Sequence, residues 1–119
     1  MIRSFLLGIA LLALALPSGS FAQTPSVTTN RSVVIATGNT FQAVLASGSY
    51  LSLTIQNNNA TDSCWIAFGK TITAANATTA ESILLLAGQA YTRYYPYIPL
   101  DEIEGTCASN SDTLYVDTQ

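Results

Sequence analysis

Few residues of this chain carry chemistry, and two of them are its only cysteines, Cys64 and Cys107. The sequence contains no histidine. That removes the usual base at neutral pH and the commonest transition-metal ligand. A cysteine nucleophile needs a neighbouring base or a strongly lowered pKa to act. A Cys64–Cys107 disulfide is therefore the expected state. It would close a loop of about 43 residues and stabilise the fold by roughly 4 kcal/mol on chain-entropy grounds.

The carboxylates are Asp101, Glu102 and Glu104, followed at a distance by Asp112 and Asp117. Paired carboxylates can hydrolyse glycosides without histidine, and clustered oxygens can hold calcium. The segment lacks EF-hand spacing, and a domain of roughly 100 residues offers little material for a substrate cleft. The expectation is solvated edge and turn charge, which discourages strands from pairing with other molecules. A small carboxylate-dependent hydrolase is the minor alternative. No catalytic residue, metal ligand or cofactor is assigned, and the chain is read as a non-enzyme.

The third group is aromatic: Tyr91, Tyr94, Tyr95 and Tyr97. A tyrosine ring is apolar and its hydroxyl polar, a combination suited to holding a protein or glycan surface. These four are the candidate contact residues. Tyr94 and Tyr95 are adjacent, so strand alternation puts them on opposite faces and at least one is expected to pack structurally.

The elements that must position these groups follow an export signal. Arg3 precedes an apolar run from Phe5 to Leu16; Pro17, Ser18 and Gly19 break it, and Ser20-Phe21-Ala22 offers a peptidase site. That is the layout of a secretory signal peptide at 1–22, which places the chain in the periplasm or outside the cell, where disulfides persist. The run is too short to span a bilayer, and no second one follows, so no transmembrane segment is expected in the mature chain. Residues 23–119 are expected to form one domain, with 23–31 as a flexible arm.

Four basic residues stand against seven acidic ones. Nucleic-acid binding releases counterions through lysine and arginine, so nucleic acid is excluded as a partner, and anionic membranes are disfavoured. The remaining polar residues are mostly Thr, Ser, Asn and Gln, which with Val, Ile and Tyr suit pleated surfaces.

Tyr50-Leu51-Ser52-Leu53-Thr54-Ile55-Gln56 is the clearest strand, with Leu51, Leu53 and Ile55 alternating against polar neighbours. Thr40 to Leu45 is expected as a strand with Phe41, Ala43 and Leu45 on one face. Ser82-Ile83-Leu84-Leu85-Leu86 is apolar throughout and expected to be covered on both faces. Lys70 to Ala80, rich in Thr, Ala and Asn, is expected to be a long loop. With Ser32 to Ala36, Cys64 to Phe68, Ala90 to Tyr95, Glu102 to Cys107 and Thr113 to Asp117, the total is about eight short strands separated by turn signals. This is the pattern of an all-β protein, an antiparallel β-sandwich of jelly-roll or Ig-like type.

The succession Tyr50–Asn57, Trp65–Gly69, Ile83–Tyr91 and Thr113–Val116 resembles small β-sandwich proteins of bacteriophage accessory-virion type and related bacterial hypothetical proteins. The resemblance covers Phe41 to Val116 and carries no functional residues with it. It implies a sandwich fold and, as an alternative role, a phage-derived accessory domain that self-assembles into a homo-oligomer. The leading expectation is an exported, non-catalytic module with a structural or binding role at the cell envelope or outside the cell.

Overall fold

A computed structural model describes residues 28–119. The expected signal peptide, and the arm up to residue 27, lie outside the described residues. Eight strands follow in order: β1 (Thr29–Val34), β2 (Gln42–Leu45), β3 (Ser52–Asn57), β4 (Cys64–Phe68), β5 (Ile83–Leu85), β6 (Ala90–Tyr94), β7 (Ile103–Cys107) and β8 (Thr113–Thr118). The helical content among the described residues is one 3-10 turn, Thr79–Glu81.

Period-two sequence explains the central strands. In β3, Leu53, Ile55 and Asn57 are buried, while Ser52, Thr54 and Gln56 are half-exposed. In β8, Leu114, Val116 and Thr118 are buried against half-exposed Thr113, Tyr115 and Asp117. Each strand thus presents one face to a core and one to water.

The strands form two four-stranded antiparallel sheets, ordered β1-β8-β3-β6 and β2-β7-β4-β5. The pairings β1 with β8, β2 with β7, β3 with β6 and β4 with β5 are nested one inside the next. A long antiparallel ribbon rolled on itself gives this order, which is the jelly-roll arrangement of a β-sandwich. Two further pairings, β3 with β8 and β4 with β7, complete the sheets. The core between them contains Ile35, Val44, Leu53, Ile55, Ile66, Ile103, Leu114 and Val116.

One close approach sets the sheet separation locally. Gly105 lies in β7, opposite Gln42 of β2 and Ile66 of β4. A Cβ at Gly105 would sit 2.5 Å from Val44 Cγ2 and 2.9 Å from Leu114 Cδ1. Only a glycine lets those two side chains meet across this strand.

Several expectations change. The arm was expected through residue 31, but Thr29, Asn30 and Arg31 pair with Thr118, Asp117 and Val116 of β8, and the Arg31 guanidinium donates to the Val44 carbonyl. The ladder extends the strand three residues beyond what its β-branched run signals. In β2, a bulge separates Ala43, opposite Glu104, from Leu45, opposite Ile103. The extra residue shifts the alternation, so Val44 and Leu45 are both buried while Ala43 is exposed. Leu51 precedes β3 and is exposed. β5 is an edge strand, so Ile83, Leu84 and Leu86 are exposed and only Leu85 enters the core; apolar composition there signals an open edge rather than burial on both faces.

The disulfide joins Cys64 of β4 to Cys107 of β7, directly opposite in the ladder with Cα atoms 3.9 Å apart. Both cysteines are fully buried.

Two outcomes follow from this packing. Gly105→Ala should lower the unfolding free energy by about 1–3 kcal/mol through overpacking, read by urea denaturation. Replacing both cysteines by alanine should cost about 4 kcal/mol, because the bridge closes a 43-residue loop in the unfolded chain; a loss under about 1 kcal/mol would show that the bridge is incidental.

Candidate functional site

Strand alternation divides the loops between two ends of the roll. Residues 46–51, 69–82 and 95–102 share one end with the C-terminus. Hydrogen bonds tie this end together: Gly48 N–H to the Leu100 carbonyl, Tyr95 N–H to the Leu51 carbonyl, and Leu51 N–H to the Gln119 carbonyl. Within residues 95–102, Ile98 is buried in the core cluster. That anchor holds the loop down by one apolar side chain and leaves its neighbours facing out.

Tyr94, Tyr95 and Tyr97 are 66, 73 and 80% exposed, and Leu51 and Leu100 lie exposed beside them. The strand ends at Tyr94, and a turn closes with the Tyr97 N–H donating to the Tyr94 carbonyl. Alternation therefore lapses at Tyr95, so neither Tyr94 nor Tyr95 is structural, contrary to expectation. Tyr91 is the correction in the other direction. It is 8% exposed and opposite Ile55, with its ring 5.6 Å from that of Phe68 and the Arg93 guanidinium 4.7 Å over its face. Tyr91 is a core residue at the sandwich edge, and the candidate surface is reduced to Tyr94, Tyr95 and Tyr97. Leu100 lies on the same loop, and the fold brings Leu51 to it, the Leu51 carbonyl accepting from the Tyr95 N–H.

A small cavity of about 210 Å³ opens at the same end, lined by Thr29, Arg31, Leu45, Ala46, Tyr50, Val116 and Thr118. Tyr50 Oη donates to the Ala46 carbonyl at 2.9 Å, bracing its rim. None of Asp101, Glu102 and Glu104 lines it.

The carboxylates also depart from expectation at one position. Glu102 is exposed, as a solvated edge charge should be. Glu104 is only 1% exposed. It lies on the β7 face opposite the core, between Ala43 of β2 and Ala67 of β4. Residues 69–82 reach over this outer face and bring the Ala74 N–H to the Glu104 carboxyl. The segment is folded locally around Asn76: its Oδ1 accepts from Thr73 N–H at 2.7 Å and its Nδ2 donates to the Thr71 carbonyl at 2.8 Å. Glu104 Oε2 and the Thr106 hydroxyl, both buried, have no hydrogen-bond partner. Burial pushes the Glu104 carboxyl up from 4.5 to about 7; the hydrogen bond that its protonated form donates to Glu102 and the charge of Glu102 add to the rise, and the Ala74 N–H opposes it.

At the opposite end, the buried Asn57 amide donates to the Asp62 carbonyl at 2.7 Å and the Leu85 carbonyl at 2.9 Å. Its Oδ1 accepts from Asn59 N–H at 3.1 Å and Asn59 Nδ2 at 2.7 Å. This end is closed by buried amides, whereas the other end leaves Tyr94, Tyr95 and Tyr97 exposed. Among the described residues, no three His, Cys, Asp or Glu side chains are grouped to hold a metal ion, and no helix is long and apolar enough to cross a membrane.

No protein-family model matches the chain, and no curated protein or solved structure matches it either.

Glu104 makes stability depend on pH. Between about 4.5 and about 7 the folded state keeps a proton that the unfolded chain has released. Stability should therefore be greatest below this window, fall as pH rises through it, and level off above it, by on the order of 1–3 kcal/mol. Glu104→Gln should be nearly level over the same range. Urea denaturation at stepped pH checks both.

Proposed function

We propose that the protein is an exported, non-catalytic jelly-roll module that works by contact, holding a glycan or protein surface at the cell envelope or outside the cell through Tyr94, Tyr95 and Tyr97. The observation that carries this reading is the exposure of the three rings at one end of a stapled sandwich, Tyr94 at the end of β6 and Tyr95 and Tyr97 on the loop anchored by Ile98. Their apolar faces stand in water with no packing role, and Leu51 and Leu100 extend the apolar area around them. Rigid aromatic side chains lose little entropy on contact and dominate binding where they are buried by a partner. Export rests on the signal-like pattern of residues 1–22 and accords with the intramolecular disulfide.

A second reading is a phage-derived accessory domain that self-assembles. It is favoured by the exposed apolar edge at β5, where Ile83, Leu84 and Leu86 flank unpaired backbone groups. The mass of the oxidised domain in solution separates the two. A stable trimer or larger ring that Leu84→Lys dissolves supports assembly; a monomer supports the solitary module.

For the leading reading, the triple variant Tyr94→Ala, Tyr95→Ala, Tyr97→Ala should weaken capture of glycans on an array, or of envelope proteins in a pull-down, at least tenfold. Its melting temperature should match that of the parent. Tyr91→Ala should instead lower stability, since its ring is packed against Phe68. Undiminished capture by the triple variant would show that contact is made elsewhere.

A further inference from the structure

The outer face of the β2-β7-β4-β5 sheet holds an arrangement that the contact function does not use. Glu104 and Thr106 project from it, two residues apart on β7, both buried and both with an unpartnered oxygen. A β-sandwich normally leaves such a face to water. Here residues 69–82 cover it. The one polar tie described between that cover and the central strand is the Ala74 N–H at the Glu104 carboxyl. Much of the cover itself is exposed, including Thr73, Ala74 and Asn76. A segment with few buried apolar groups opens at low free-energy cost.

We propose that Glu104 is a pH-operated latch for residues 69–82: the cover is closed while the carboxyl carries its proton and is loosened when the carboxyl ionises.

The argument is one of charge and hydration. A neutral carboxyl can remain buried while sharing a hydrogen bond with Glu102. An ionised one places a second negative group beside Glu102; the Ala74 N–H favours it, but that single donor is outweighed by burial and by Glu102, and Oε2 stays buried without a donor. Burying an unpaired charge is costly, and water is the available remedy. β2 and β4 present only alanines, Ala43 and Ala67, to Glu104, and neither can supply a donor. The charged residues of the covering segment are Lys70 and Glu81, both exposed, and the preceding loop contributes Asp101. The central strands on either side are fixed by the ladder and the disulfide, so hydration must come from the covered side. Opening would uncover Ala67, Glu104 and Thr106 beside the half-exposed Trp65, giving the protein a second face that its closed form conceals.

The opening equilibrium should rise up to tenfold for each pH unit between about 4.5 and about 7 and then level off. Hydrogen–deuterium exchange of the oxidised chain, read peptide by peptide at pH 5 and pH 8 and corrected for intrinsic exchange, tests this. Peptides within 69–82 should lose protection by about tenfold to a hundredfold at pH 8, with β3 and β8 unchanged over the exposure times used. In Glu104→Gln that difference should vanish. Glu102→Gln, which removes the neighbouring charge but leaves Glu104 in place, should move the midpoint to lower pH and serves if the first variant folds poorly. Loss of protection that persists in Glu104→Gln, that appears in 69–82 only together with exchange of β3 and β8, or that does not occur at all would overturn the latch.

Discussion

The structure depends on satisfying backbone groups where a rolled ribbon closes on itself. Nesting four strand pairs brings the end of β3, the end of β5 and the start of β8 to one place, and their loop carbonyls and amides cannot all reach water. Asn57 and Asn59 resolve this. Asn57 holds the Asp62 and Leu85 carbonyls, and Asn59 passes from Asn57 to the Thr113 backbone, donating to its carbonyl at 3.3 Å and accepting from its N–H at 2.9 Å. The same Asn59 Nδ2 lies 3.3 Å from Cys64 Sγ. Amide network and disulfide therefore occupy one corner, and each restrains what the other holds. A buried network whose members are satisfied specifies a single arrangement, because any alternative leaves groups without partners.

That closure permits the asymmetry of the molecule. With one end tied by covalent and amide contacts, the other can carry loops whose side chains contribute little to stability. Ile98 is the exception that positions the rest: one buried isoleucine sets the loop from which Tyr97 and Leu100 project. In the contact role proposed for these rings, the rigidity of the sandwich would settle their position before a partner arrives.

Glu104 is the place where the chain departs from the pattern that folds it. A carboxyl under an outer cover, with one oxygen unpartnered and Glu102 beside it, lowers stability in its ionised form. Natural chains tend to break their own folding rules at sites that do something other than fold, and Glu104 beneath its cover is such a break.

Fold class, strand number and the sulfur pair were legible in the sequence because each rests on local information. Period-two alternation over Leu53 and Ile55, turn residues between short apolar runs, and two cysteines without a histidine require no knowledge of neighbours. The asparagines of 57–59 were legible only as a loop, since composition records their polarity and not that Asn57 is buried at the end of a strand. The same limit governed the site. Four tyrosines were visible, but only the ladder decided that Tyr91 faces Phe68 and the core, while Tyr94 is the last paired residue and Tyr95 and Tyr97 lie beyond it. Glu104 looked like a solvated charge because its burial comes from residues 69–82, some thirty positions earlier in the chain. Alternation and residue chemistry are properties of neighbours along the chain; exposure, partner and proton affinity belong to neighbours in space, and only folding assigns those.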